Sequence, residues 1–129
     1  MNLETKERVI FVVASLINLA DMTETPLREV VELVGIDAIK ELMEKGNLRY
    51  ETNYEEMAGE ICALIGWEPT LVPSWRTDRY LSTLGLRIAE TINSSSPANE
   101  EVVERLFSFL SGKGFEEWFE LNDGPGELQ

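Results

Sequence analysis

Residues 8–20 read RVIFVVASLINLA, and only Ser15 and Asn18 interrupt the apolar run that follows Arg8. Its β-branched residues favour a strand locally, but the run is longer than an ordinary strand and its apolar residues do not alternate with polar ones. On a helix, the few polar residues would share one narrow stripe. We therefore predict a central helix from about Leu3 to Met22 that neighbouring helices cover on most sides.

The same stretch shares features with two kinds of membrane-directed segment, a membrane span and a secretory signal peptide. A membrane span needs about 20 apolar residues, and Arg8 and Asp21 bound a shorter run. Basic residues before an apolar core are also typical of a secretory signal peptide, but Glu4 and Glu7 lie among them and the cleavage context at residues 18–20 is poor. We therefore expect neither membrane insertion nor export.

Length and composition predict the domain organisation. A chain of 129 residues with 43% hydrophobic residues is large enough to bury one core without disulfides or a metal. The expected fold is an all-α, compact single-domain bundle of six to seven helices around the apolar N-terminal helix. The helical domain would span residues 1–121, and residues 122–129 would form a disordered acidic tail.

The acidic charge of the chain indicates which classes of partner it can bind. There are 24 acidic and 11 basic residues, a net charge of −13, and such a surface repels phosphate backbones. Direct nucleic-acid binding is therefore not expected. The single cysteine, Cys62, excludes an internal disulfide and fits a reducing compartment, so the cytoplasm is the expected location.

Capping residues, prolines and glycines divide the rest of the chain into helices. We predict a helix that begins at Pro26 and stops at Gly35, and a short one that follows Asp37. The next helix would be capped by Thr52 or Asn53 and would end at Gly66, and the one after it would be capped by Ser74 and span Trp75–Asn93. A further helix would begin at the Ser96-Pro97 cap and end at Gly112, and the last would span Phe115–Leu121.

Three features are candidates for binding a partner. The longest irregular stretch, residues 66–75 (GWEPTLVPSW), holds Trp67 and Trp75, which would either form a recognition surface or close the core. Next, the helix predicted after Ser74 would carry three basic residues on its outer face, Arg76, Arg79 and Arg87. These arginines would either pair with surface glutamates or dock an acidic partner. Last, the aromatic face of the final helix, with Trp118 and Phe119, would pack on its own domain or lie in a partner's groove.

No residue set indicates catalysis. The chain has no histidine, which excludes histidine acid–base catalysis, histidine triads and metal sites built on histidine. Repeated Glu-x-x-Glu pairs have a spacing that can hold magnesium, but each pair points away from the predicted apolar face. No catalytic residue, metal site or cofactor is therefore expected.

Three functional classes remain open. The first is a non-enzymatic protein–protein interaction module or small subunit of a larger assembly, and the second is an acidic inhibitor. That inhibitor would be an immunity-type protein or nucleic-acid mimic that occupies a basic cleft of a nuclease or DNA-binding protein. The third is an enzyme that uses carboxylates or arginines alone. We expect the first class, with a protein partner, and self-association is compatible with the first two classes.

Overall fold

A computed structural model describes residues 3–44, 53–93 and 99–123, and this part of the chain contains six helices and no strand. The helices are α1 (Leu3–Thr23), α2 (Leu27–Glu44), α3 (Tyr54–Ile65), α4 (Asp78–Ile92), α5 (Asn99–Ser111) and α6 (Phe115–Asn122). They form a compact bundle, as the all-α prediction requires. None of these described helices combines the length and apolar character that a bilayer span demands.

The central position predicted for α1 is confirmed, since α1 packs against α2, α3 and α4. Burial extends to the polar stripe, because Ser15 and Asn18 are both buried. The Ser15 hydroxyl donates to the Phe11 carbonyl oxygen at 2.8 Å, and the Asn18 amide donates to the Met22 sulfur at 3.3 Å. Each of these two side chains thus has a partner within its own helix, which limits the cost of its desolvation.

Helices α1 and α4 approach each other closely and run antiparallel. A Cβ atom added to Gly85 would lie 2.7 Å from the carbonyl oxygen of Ile10, so only a glycine lets the two backbones come this close. At one end of this pair, the Lys6 ammonium lies 3.8 Å from the Glu90 carboxylate. At the other end, Asp21 of α1 faces Arg76, just before α4 begins.

Local stop and cap signals are confirmed in α2 and α3. Gly35 interrupts α2 with φ +82° and ψ 161°, in agreement with the predicted stop, and helical structure resumes beyond it. Asn53 caps α3 by accepting the Glu56 backbone N–H at 2.7 Å. Gly66 ends α3 in the left-handed conformation that glycine adopts most readily.

The predicted start of α4 is wrong. Its N-cap is Thr77, whose hydroxyl accepts the Tyr80 backbone N–H at 3.1 Å, and the helix begins at Asp78. Ser74 instead donates its hydroxyl to the Asp21 carboxylate at 3.2 Å. Trp75 and Arg76 therefore belong to the preceding loop, and Arg76 does not share a helix face with Arg79 and Arg87.

The C-terminal part of the fold consists of α5 and α6. Val102, Val103, Leu106 and Leu110 of α5 are buried, and α5 packs on α2. Asn122, which the sequence analysis assigned to the acidic tail, ends α6, and Asp123 binds Arg76. The Ser96-Pro97 cap and residues 124–129 of the predicted tail lie outside the described residues.

Candidate functional site

The irregular segment 66–77 connects α3 to α4 and passes the C-terminal end of α1. Its backbone is tied to α1 by one hydrogen bond, in which the Val72 N–H donates to the Met22 carbonyl oxygen at 2.7 Å. The bond from Ser74 to Asp21 adds a second tie two residues later. We call residues 66–77 the connecting loop, and these bonds fix its path over the end of α1.

Arg76 anchors this loop in the interior, where only 6% of its side chain is exposed. The Nη1 group donates to the Asp21 carboxylate, and the Nη2 group donates to the Asp123 carboxylate. The Tyr80 hydroxyl also donates to Asp123. One guanidinium thus joins the end of α1, the connecting loop and the residue that follows α6.

This cluster holds one positive charge between two carboxyl groups. Burial raises the pKa of Asp21, the charge of Asp123 raises it further, and the bonds from Arg76 and Ser74 oppose this only in part. Burial alone would lower the pKa of Arg76, but its bonds to both carboxylates outweigh burial and raise that pKa. Arg76 therefore stays charged and has no free charge to offer an acidic partner, although its Nε atom is buried without a hydrogen-bond partner in the described part of the chain.

Trp75 lies next to this anchored residue and is 69% exposed. One face of its ring covers the Arg76 guanidinium, with 4.1 Å from Cζ to the ring centroid. The Tyr80 ring is 6.5 Å away and tilted by 55°. A large aromatic side chain is thus held against a fixed cation while most of its surface faces solvent, an arrangement that suits an anchor for a protein partner.

An open cleft of about 540 Å³ lies between the connecting loop and the first turns of α3. Its apolar side is formed by Met22, Leu71, Val72 and Pro73, and its polar side by Asn53, Glu55, Glu56 and Gly59. Leu71 is 44% exposed although it is a large apolar residue. We call this cavity the loop cleft; apolar side chains line one side of it and two carboxylates lie on the other.

Gly59 is the unusual residue of the loop cleft, because it lies in the interior of α3, where glycine destabilises a helix relative to alanine. A Cβ atom at this position would meet nothing within 4 Å among the described residues. The described fold therefore gives no packing reason for glycine here, in contrast to Gly85. What Gly59 provides is bare helix backbone on the wall of the cleft.

The structure distributes the other residues predicted to bind a partner over different environments. Trp67 is half-buried against the core, Arg79 is exposed on α4, and the Arg87 guanidinium donates to the Asn122 carbonyl oxygen at 2.7 Å. Trp118 and Phe119 are half-buried and pack in an aromatic group with Phe109 and Phe115. Trp75 and Phe119 both contact Arg76, since the Phe119 ring centroid lies 5.5 Å from the Arg76 guanidinium.

The described residues offer no group of three or more histidine, cysteine, aspartate or glutamate side chains arranged to hold a metal ion. Cys62 is buried in the core, and burial raises the pKa of its thiol. A raised pKa keeps the thiol protonated at neutral pH, which makes it a poor nucleophile. Cys62 thus acts as a small core residue.

Sequence reasoning missed the acidic partners of Arg76 and the loop cleft. The partners, Asp21 and Asp123, are 55 and 47 residues from Arg76 in the chain, so no local pattern connects them. Gly59 did have a sequence signal, because a glycine within a helical pattern and away from its ends calls for a packing or functional explanation.

No protein-family model matches this chain, and no curated protein and no solved structure matches it either.

Proposed function

We propose that this protein is a non-enzymatic protein–protein interaction module or a small subunit of a larger assembly, and that its partner contacts the connecting loop. The observation that carries the proposal is the contrast between two adjacent residues. Trp75 is 69% exposed, whereas the Arg76 side chain is only 6% exposed and bonded to two carboxylates. The loop thus presents a tryptophan on a backbone that is already ordered.

Two physical properties support a binding role for the connecting loop, the exposed tryptophan and the fixed backbone. Tryptophan is among the residues that contribute most to binding free energy at protein interfaces, because it buries a large area and loses few rotamers. Ordering a loop on binding weakens affinity, and a loop anchored beforehand avoids that loss. An exposed tryptophan next to a buried ion-pair cluster combines the two conditions.

The distribution of charge favours this function over the acidic inhibitor. Exposed carboxylates occur on every described helix, with Glu4, Glu29, Glu55, Asp78, Glu104 and Glu116 as one example from each. A nucleic-acid mimic requires acidic groups concentrated on one face, in the register of phosphates. The same spread is compatible with a charge that keeps the protein soluble, so we place the binding energy in the loop and not in the net charge.

The proposal includes a cytoplasmic location and no cofactor. The partner is a protein, either a different chain or a second copy of this one. Direct contact with nucleic acid is not part of the proposal, because the net charge of −13 opposes it.

Site-specific photo-crosslinking tests the proposal. A benzoylphenylalanine in place of Trp75 keeps an aromatic ring at the position, and the same group in place of Leu33, which is 54% exposed on α2, is the control. We expect a partner to be captured from a lysate of the source organism at position 75 and not at position 33. Excess unlabelled wild-type protein should compete for that capture, whereas excess Trp75→Ala should not.

Two results would contradict the proposal. Capture of the same proteins at positions 75 and 33 would show that the crosslinks reflect non-specific binding. Equal competition by wild type and Trp75→Ala would remove Trp75 from the interface.

A further inference from the structure

We propose that the loop cleft receives an apolar side chain of the partner, and that lysine or arginine residues flank this side chain in the partner's sequence. The inference rests on the proposed function and specifies its partner. It is argued from the lining of the cleft, from its charge and from Gly59.

The lining determines which side chain fits. Met22, Leu71, Val72 and Pro73 offer an apolar surface, and part of this surface is exposed in the structure, since Leu71 is 44% exposed. Covering it with another apolar side chain removes hydrocarbon from water, which is the main favourable contribution to protein association. A cleft of about 540 Å³ has room for a leucine or methionine together with part of the partner's backbone.

The charge determines what flanks that side chain. Glu55 and Glu56 lie on the opposite wall of the cleft, and none of the described residues that line it is basic. The chain as a whole carries a net charge of −13, so its field attracts basic segments and repels acidic ones. A partner segment with lysine or arginine next to its apolar residue would place opposite charges beside these two glutamates.

Gly59 supplies a separate argument. Glycine inside a helix lowers stability, and at this position no described atom lies within 4 Å of the place that a Cβ would take. A side chain here would project into the cleft and would keep a partner away from the helix backbone. The missing Cβ is therefore explained if the partner approaches α3 closely at this point.

A second cleft, between α2 and α6, is the main competitor and has about the same volume. It has apolar residues such as Leu27 and Phe119, but its charges are mixed, since Arg28 and Lys113 line it together with three glutamates. Among the described residues that line it, there is no helix-interior glycine. The loop cleft is the one in which lining, charge and backbone exposure indicate the same partner chemistry.

The test uses a defined probe, a fluorescein-labelled peptide of twelve residues built from alternating pairs of leucine and lysine. Its affinity for the full-length protein is measured by fluorescence anisotropy at about 0.15 M salt, where long-range attraction is screened. Two control peptides replace either every leucine with serine or every lysine with glutamate. We expect only the leucine–lysine peptide to bind.

Two variants change the cleft, and each has a matched control elsewhere on the surface. Gly59→Leu should fill the cleft and weaken binding by about tenfold or more, while thermal stability stays equal or rises. Ser108→Leu adds an exposed leucine to α5 and should leave affinity unchanged. Glu55→Gln with Glu56→Gln should weaken binding about threefold to tenfold, whereas Glu116→Gln with Glu117→Gln, the same charge change in the first turn of α6, should not.

The results separate this inference from the proposed function. Absence of peptide binding to the wild type, or equal affinities for Gly59→Leu and Ser108→Leu, would overturn the cleft assignment. If the crosslinking partner of position 75 is still captured when Gly59→Leu is present, the interaction module stands and the cleft inference fails. If position 75 captures nothing while the cleft variants still lose the peptide, the cleft stands and the role of Trp75 fails.

Discussion

Arg76 and Asp123 form a buried ion pair between residues 47 positions apart in the chain. The same guanidinium binds Asp21 at the end of α1. The pair therefore fastens the residue after the last described helix to the loop that carries Trp75. One side chain thus contributes both to the rigidity of the proposed binding surface and to the attachment of the C-terminal helix.

Replacing Arg76 should destabilise the protein far more than replacing its neighbour Trp75. Arg76→Ala leaves two carboxylates buried without their cation, and we expect a loss of about 3–5 kcal/mol in the free energy of unfolding. Arg76→Lys should not restore it, because a single ammonium cannot reproduce the two directed bonds of the guanidinium. Trp75→Ala should cost less than about 1 kcal/mol.

Urea unfolding followed by circular dichroism measures these differences. Equal losses for Arg76→Ala and Trp75→Ala would mean that the ion-pair cluster does not hold the loop.

The stability contributed by Asp21 should depend on pH in a direction that its environment determines. Burial raises the pKa of this carboxyl above its usual 3.8, so the folded state binds the proton more readily than the unfolded state. The contribution therefore increases as pH falls through the raised pKa towards 3.8 and is lost as pH rises. Arg76, Ser74 and Asp123 are the groups that face Asp21 and set this balance.

Asp21→Asn removes the titration, so we expect the difference in unfolding free energy, wild type minus variant, to grow from pH 7 to about pH 4. Urea titrations of both proteins at several pH values provide the measurement. A difference that stays constant or shrinks over this range would contradict the raised pKa.

Helix ends were predictable where the signal was local. Asn53 and Gly66 act within one turn of α3, so residue type identified Gly66 and reduced the N-cap to Thr52 or Asn53. The start of α4 was not predictable from sequence, because Ser74 and Thr77 are both good capping residues and only tertiary structure decides between them. Ser74 bonds to Asp21, 53 residues away, which leaves Thr77 to cap the helix.

The candidate site was predictable only in part for the same reason. The sequence identified a loop with two tryptophans, but the contact that buries Trp67 and the exposure of Trp75 depend on how the helices pack. Helical spacing predicted that Arg76, Arg79 and Arg87 share one face of a helix. They do not, because Arg76 lies in the loop before α4. Pairing of Arg76 with Asp21 and Asp123 is a property of the tertiary fold, which no pattern within a helix reports.

Removal of α6 should unfold part of the structure and not merely delete a peripheral segment. A chain that ends at Gly114 loses buried Phe115, half-buried Trp118 and Phe119, and the Asp123 partner of Arg76. We expect its free energy of unfolding to fall by at least about 3 kcal/mol. A chain that ends at Asp123 keeps these contacts and is the control, with a change of about 0.5 kcal/mol or less. Similar stability of the two truncated chains would show that α6 is dispensable for the fold.

Methyl groups added at two helix-interior glycines should have opposite effects. Gly85→Ala places a Cβ 2.7 Å from the Ile10 carbonyl oxygen, and because this neighbour is backbone, α1 and α4 must move apart, which should cost about 1–3 kcal/mol.

Gly59→Ala meets no described atom within 4 Å and should gain about 0.5–1 kcal/mol from the lower backbone entropy of the unfolded chain. Thermal and urea unfolding of both variants beside the wild type measure the two signs. A loss at Gly59 as large as that at Gly85 would mean that this glycine is retained for packing, and the exposed backbone in the loop cleft would then need no partner to explain it.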